Sequence, residues 1–196
     1  LRVMLKPHID LLQDNLPCGS YWRGQIGLNF NASQWDAWFA SYWKFFEPYV
    51  RLAQEERVEM MSMNCELYTA NYQAAHWRDI VAKTRAVYNG VLTTATNWSP
   101  FPSGSSFSWW DALDAVGIDA YFPLKGKTLD ELVAEWTPIM DAIEQLSQTV
   151  QRKVIFTEIG FPTGSGKRDY RPTQQDLDFQ ATQYKALFEA TKGRDW

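Results

Sequence analysis

The chain has 196 residues, 45% of them apolar and 21% charged, and its 19 basic and 23 acidic side chains leave a formal net charge of −4. That balance excludes an intrinsically disordered tail and a basic nucleic-acid binder. No apolar run exceeds four residues, Ala37 to Ala40, too short for a membrane span or the apolar core of a signal peptide, so the chain reads as soluble, with neither nucleic acid nor membrane expected as a partner.

The first strand-like segment is Val3 to Leu5. Because the chain opens at Leu1 and enters this segment within two residues, further sequence upstream is expected. Trp35, Trp38, Phe39, Tyr42, Phe46, Tyr49, Val50 and Ala53 then recur at three- and four-residue steps, the spacing of a helix with one buried face. Ser33, three residues before Asp36, is the expected cap of that helix. A second strand is expected at Val58 to Met63, a second helix over Trp77, Ile80, Val81, Thr84, Val87 and Tyr88, and a third strand at Val91 to Thr96. Val116 to Tyr121 reads as the fourth strand. Leu129, Leu132, Val133, Trp136, Met140 and Ile143 mark a helix that Thr128 and Glu131 cap, and Val154 to Thr157 reads as the fifth strand. Thr173, three before Asp176, starts a last helix. Pro48 and Pro138 each remove a helical hydrogen bond, so kinks or breaks are expected there.

Strands alternating with helices, without hairpin turns between them, imply a parallel sheet with right-handed crossovers. A doubly wound sheet usually carries a Gly-rich phosphate loop after a strand, and neither common spacing occurs. Gly164-Ser165-Gly166-Lys167 only resembles the end of such a loop, because the first glycine is missing and Arg168 stands in place of Ser or Thr. A (β/α)8 barrel takes about 250 residues, so with five strands the chain is either a fragment of a barrel or an open sheet. Cys18 and Cys65 allow one disulfide at most and show no metal-ligand spacing. Thirty aromatic residues, ten of them Trp, exceed what a core of this size needs, so some are expected to face a ligand while others fill gaps between layers.

In parallel α/β folds, ligands bind at the carboxyl ends of the strands. Those ends carry Lys6, His8 and Asp10, then Asn64 and Glu66, then Asn97 and Trp98, then Asp119 and Tyr121, and finally Glu158. Glu66 and Glu158 each interrupt an apolar strand end, where a charge must be paired or functional. Two carboxyls suffice for glycoside hydrolysis: one donates a proton to the leaving oxygen, and the other attacks the anomeric carbon or activates water. The bland alternative is a structural ion pair of each with Lys6, Arg2 or another base.

The runs Met4-Leu5-Lys6-Pro7-His8-Ile9-Asp10, Trp22-Arg23-Gly24-Gln25-Ile26, Ala95-Thr96-Asn97-Trp98, Asp119-Ala120-Tyr121-Phe122-Pro123-Leu124 and Phe156-Thr157-Glu158-Ile159-Gly160-Phe161 resemble those of glycoside hydrolase family 113. That family comprises (β/α)8-barrel β-mannanases with catalytic glutamates after the fourth and seventh strands. The resemblance implies one catalytic domain over residues 1–196, an α/β fold that is an incomplete TIM barrel with strands three to seven visible and strands one, two and eight absent. It implies Glu66 as general acid/base and Glu158 as nucleophile of a retaining mechanism, with carboxyls ~5–5.5 Å apart. Cys65 departs from the pattern, because the clan commonly places Asn directly before the acid/base, whereas here Asn64 stands two residues before Glu66.

Around the two glutamates, Tyr121 could donate its hydroxyl to Glu158, or be a core Tyr bonded to backbone. Asn97 could bond a sugar hydroxyl and Trp98 could stack on a pyranose. Trp22, Trp109 and Trp110 are further stacking candidates or loop anchors, and Lys6, His8 and Asp119 complete the substrate-binding set. His and Cys are scattered in sequence and no Ca²⁺ loop occurs, so no metal site is expected, and the resemblance implies that no cofactor is needed. The runs 54–57 and 167–169 read as solvated surface. The favoured substrate is β-1,4-linked mannan or manno-oligosaccharide. The alternatives are a retaining enzyme for another sugar, or a non-catalytic barrel module for carbohydrate binding or structure. Polysaccharide chemistry is compatible with export, but the visible chain shows no leader, and compartment and oligomeric state are not legible.

Overall fold

The computed structural model describes residues 2–11, 22–99, 108–164 and 170–195. Cys18 and the run from Ser165 to Asp169 lie outside the described residues. Cys65 is a free, buried thiol.

The chain runs β1 (Met4–Leu5), α1 (Ala32–Glu55), β2 (Met60–Cys65), α2 (Ala74–Arg85), β3 (Val91–Asn97), β4 (Ala115–Asp119), α3 (Leu129–Val150), β5 (Lys153–Glu158) and α4 (Gln174–Thr191). All strand pairs are parallel, and the sheet order is β1-β2-β3-β4-β5. A doubly wound sheet would reverse its strand order at a switch point, whereas sequential order is that of a barrel wall.

The sheet is also curled. β1 and β5 are its first and last strands, and four strand steps of ~4.8 Å would separate them by ~19 Å in a flat sheet. Yet Lys6, directly after β1, forms an ion pair with Glu158 at the end of β5. A lysine and a glutamate cannot together bridge that flat distance, so the five strands form part of an incomplete (β/α)8 barrel.

Central strands β2, β3 and β4 are buried along nearly their whole length, as expected of a sheet covered on both faces. Gly117 in β4 lies so close to β3 that a Cβ there would collide with the Thr94 carbonyl.

Helix α1 buries Trp35, Phe39, Tyr42, Phe46, Val50 and Ala53. Tyr49, expected on the same face, is exposed instead. The cap expected at Ser33 is Asn31: its side chain accepts from the Gln34 amide at 3.0 Å, and Gln34 returns the bond to the Asn31 amide at 2.9 Å. This capping box satisfies two free N–H groups at once. The boxes at Thr128 with Glu131 and Thr173 with Asp176 form as the spacing predicts.

Neither Pro48 nor Pro138 breaks its helix. Both prolines lie on exposed faces, as do Lys44 and Ala134, whose carbonyls lose a helical donor. Water can serve those carbonyls, so the missing bonds are tolerated.

Two strand limits differ from expectation. Arg57 turns the chain through φ 54° after α1, so β2 begins at Met60 rather than Val58. β4 ends at Asp119, leaving Tyr121 beyond it and free to face the open end of the sheet.

Candidate active site

Two irregularities in the ladder fall at the carboxyl ends of the strands. The β2–β3 register shifts between Ser62 and Cys65, and the β4–β5 register shifts between Ile118 and Asp119, which pairs with Glu158. Such bulges bend a strand and re-aim its side chains. Immediately after the first, Glu66 takes a left-handed φ of 53° while its amide donates to the Ala95 carbonyl at 2.8 Å. A non-glycine residue there is strained by about 1 kcal/mol or more, and the strain falls on the residue whose side chain enters the site.

Glu66 is half-buried. Asn97 Nδ2 donates to its Oε1 at 2.9 Å, and the Trp22 side chain also hydrogen-bonds it. Burial and the negative charges of Asp119 and Glu158 push the Glu66 pKa above the ordinary carboxylate value, outweighing Trp22 and Arg23, which act the other way.

Glu158 has the opposite setting. Burial would raise its pKa, but hydrogen bonds from Lys6 and Tyr121, together with the charges of Lys6 and His8, bring it below the ordinary value. Tyr121 Oη donates to Oε2 at 2.9 Å, and Lys6 Nζ pairs with Oε1. Burial and the neighbouring Glu158 raise the Tyr121 pKa to about 12, so its hydroxyl keeps the proton it donates.

Beneath these groups, Asp119 is fully buried. It accepts from Thr157 Oγ1 at 2.7 Å and pairs with Lys6 Nζ at 3.3 Å. Without exposed surface, it supports Lys6 from below. Burial raises its pKa despite Thr157 and Lys6. Cys65 Sγ lies 3.7 Å from both Asp119 Oδ2 and Glu158 Oε1, and burial pushes its thiol up to about 12. It therefore stays a neutral donor rather than a nucleophile.

Lys6, His8, Trp22, Asn97 and Tyr121 all gather at this end of the sheet around Glu66 and Glu158. Lys6 bonds Glu158 and Asn97 bonds Glu66. His8 is exposed, with Nδ1 2.9 Å from Arg23 Nη1. Burial and the cations Lys6 and Arg23 lower its pKa. Trp98 packs against Phe122 at 6.0 Å between ring centres and is half-buried. Asn64 is buried in the sheet, bonded to Asn71 and Thr94 at 2.9 and 2.5 Å.

Trp109 and Trp110 are corrected: both are core residues. Trp109 stacks on Trp77 at 5.2 Å and donates its indole N–H to the Asn71 carbonyl at 3.1 Å. Other rings pack inside as well, Trp35 against Trp38, Trp38 against Tyr42 and Tyr42 against Trp77.

Arg23 was not legible as a site residue. It pairs with Asp10 at 2.9 Å and touches His8 at 2.9 Å and Cys65 Sγ at 3.4 Å. No short motif links it to these partners. The donors that look scattered in sequence do converge, since His8, Cys65 and Glu158 each offer one ligand atom, all within 4.8 Å of one another. Arg23 already lies against His8 and Cys65, and Lys6 against Glu158.

The chain matches glycoside hydrolase family 113 over residues 1–196. Among solved structures it is similar to a family 113 β-1,4-mannanase described as a complex, at 28% identity and a TM-score of 0.78, covering 100% of this chain and 60% of that one. It is also similar to the β-mannanase AaManA from Alicyclobacillus acidocaldarius in complex with ManMIm, at 30% identity and TM-score 0.74, covering 97% of this chain and 58% of that one. The chain thus spans about three fifths of the length of those mannanases. A β-glucuronidase of an uncultured Clostridium sp. shares the fold at 15% identity and TM-score 0.59, covering 79% of this chain and 27% of that one. No curated protein gives a significant match. With the family match running from its first residue to its last, the chain belongs to glycoside hydrolase family 113.

Proposed function

We propose that the protein carrying this chain is a retaining glycoside hydrolase that cleaves β-1,4-linked mannan or manno-oligosaccharides by double displacement. The observation that supports this most is the opposed tuning of two carboxyls at one end of the sheet, Glu66 raised and Glu158 lowered. Groups whose environments push their pKa values apart divide naturally into acid and nucleophile. Solved family 113 structures described as β-1,4-mannanase and β-mannanase support the choice of sugar.

In the first step, Glu66 gives its proton to the glycosidic oxygen as the bond from that oxygen to the anomeric carbon breaks. Glu158 attacks the same carbon from the opposite face and forms a glycosyl ester. In the second step, Glu66, now a carboxylate, takes a proton from water. That water attacks the anomeric carbon and releases Glu158, so the configuration is inverted twice and retained.

The surrounding residues serve this division. Lys6 and Tyr121 hold Glu158 ionised and oriented, Asp119 and Thr157 hold Lys6, and Asn97 and Trp22 orient Glu66. Such pre-set dipoles and charges contribute without reorganising during the reaction.

The reading is tested in the full-length protein by exchanging each glutamate. Glu66→Gln should slow hydrolysis of mannan by about 10²–10⁴-fold, and Glu158→Gln should abolish it. Normal activity in either variant would overturn the assignment.

A further inference from the structure

The guanidinium of Arg23 is shared among three partners. Nε and Nη2 donate to the two carboxylate oxygens of Asp10 at 2.9 and 3.2 Å, while Nη1 lies 2.9 Å from His8 Nδ1 and 3.4 Å from Cys65 Sγ. The 3-10 turn that carries it, Arg23–Gln25, is tied to the loop after β2, because the Gly24 carbonyl accepts from the amide and the hydroxyl of Thr69 at 2.9 and 2.7 Å. Asp10 therefore fixes the plane of the guanidinium, and the Nη1 hydrogens are left for the imidazole and the thiol.

A guanidinium offers N–H groups and no acceptor, and it stays charged in proteins. At 2.9 Å from Nη1, His8 Nδ1 must accept, and a neutral imidazole that accepts at Nδ1 carries its proton on Nε2. A charged imidazolium, with N–H on both nitrogens, would set donor against donor and cation against cation. Burial, Lys6 and Arg23 accordingly lower the His8 pKa, against Glu158 and Asp119, which raise it. We propose that Arg23 is a positioning residue: near neutral pH it holds His8 as the neutral imidazole protonated on Nε2, a fixed hydrogen-bond donor turned away from Arg23 toward a hydroxyl oxygen of the bound sugar. His8 is exposed, and a ring nitrogen lies within 4.8 Å of both Cys65 Sγ and a Glu158 carboxylate oxygen, so the ring stands beside the proposed nucleophile. The contact with sugar rests on the hydrolase reading, whereas the tautomer does not. A neutral donor at this place binds a hydroxyl without competing with Glu66 for the proton of the reaction.

The test is a long-range ¹H–¹⁵N correlation spectrum of the imidazole rings in the ¹⁵N-labelled full-length protein at neutral pH, with the His8 signals identified by their loss in His8→Asn. Nδ1 should resonate as a bare nitrogen and Nε2 as the protonated one. In Arg23→Gln, whose amide can either donate or accept, the proton should move in part to Nδ1 and the titration of the ring should shift to higher pH. KM for mannopentaose should rise about 2–10-fold in that variant, the loss of one oriented hydrogen bond, with a smaller change in kcat. A wild-type His8 that is charged, protonated on Nδ1 or mixed between the two forms overturns the proposal, and so does an Arg23→Gln variant with the wild-type tautomer. A released tautomer with unchanged KM overturns the contact with sugar. A fixed Nε2 proton in a protein that cleaves no mannan removes the hydrolase reading and leaves the role of Arg23 toward His8 standing.

Discussion

Asp119, without exposed surface, pairs with Lys6 at 3.3 Å, and Lys6 in turn pairs with Glu158. A buried carboxylate thus positions the ammonium that sets the charge of the proposed nucleophile. Removing Lys6 should therefore affect turnover more than binding. Lys6→Met should lower kcat by about 10–100-fold with little change in KM. The acid limb of the kcat–pH profile should move upward, because Glu158 loses the partner that lowers its pKa. Lys6→Arg should recover part of both effects. A variant with raised KM and normal kcat would mean that Lys6 binds sugar instead.

The pH profile of the intact enzyme follows from the two shifts. Glu158 must be ionised to attack, and its pKa is lowered, so the acid limb should lie below the ordinary glutamate value of 4.5. Glu66 must be protonated to act, and its pKa is raised, so the alkaline limb should lie above that value. The plateau of kcat/KM should lie between the two limbs, measurable on a soluble manno-oligosaccharide across pH 3–9. An acid limb well above 4.5 would contradict the lowered Glu158.

Much of this was legible in the sequence, because strands, helices and two of the three expected caps depend on local spacing. The family motifs carried Glu158, and the strand count placed Glu66 at the same end of the sheet. What stayed hidden depends on contacts between distant residues. Lys6 meets Glu158 across 152 positions, and no periodicity shows that the sheet curls enough to bring the ends of its first and last strands within ion-pair reach. Arg23 meets Cys65 across 42 positions. Trp109 and Trp110 follow an irregular run and look like loop residues, yet the Trp77 ring and the Asn71 carbonyl draw Trp109 into the core.

Cys65 should be slow to alkylate. Moving a thiol from 9.0 to about 12 lowers its thiolate fraction near neutrality by about a thousandfold. In the native full-length protein at pH 8, iodoacetamide labelling of the peptide containing Cys65, followed by mass spectrometry, should be far slower than in the unfolded protein. Equal rates would show that the thiol is neither buried nor raised.

Gly117 is required by close approach rather than by backbone conformation. A methyl group there would meet the Thr94 carbonyl, Thr93 Oγ1 at 2.7 Å and Thr157 Cγ2 at 2.9 Å. Gly117→Ala should destabilise the fold by about 1–3 kcal/mol, read as a lowered midpoint of thermal unfolding. It should also reduce activity, since Thr157 supports Asp119. An unchanged midpoint would contradict the packing of β3 against β4.

The central claim is that Glu158 forms a covalent bond to the anomeric carbon after Glu66 has protonated the departing oxygen. Incubating the full-length enzyme with an activated 2-deoxy-2-fluoro-β-mannoside, which slows release of the intermediate, and mapping the labelled peptide by mass spectrometry tests this most directly. The account predicts one glycosyl group on Glu158 and none in a Glu158→Gln variant. A label on another residue, or full hydrolysis of mannan with inverted products, would contradict it.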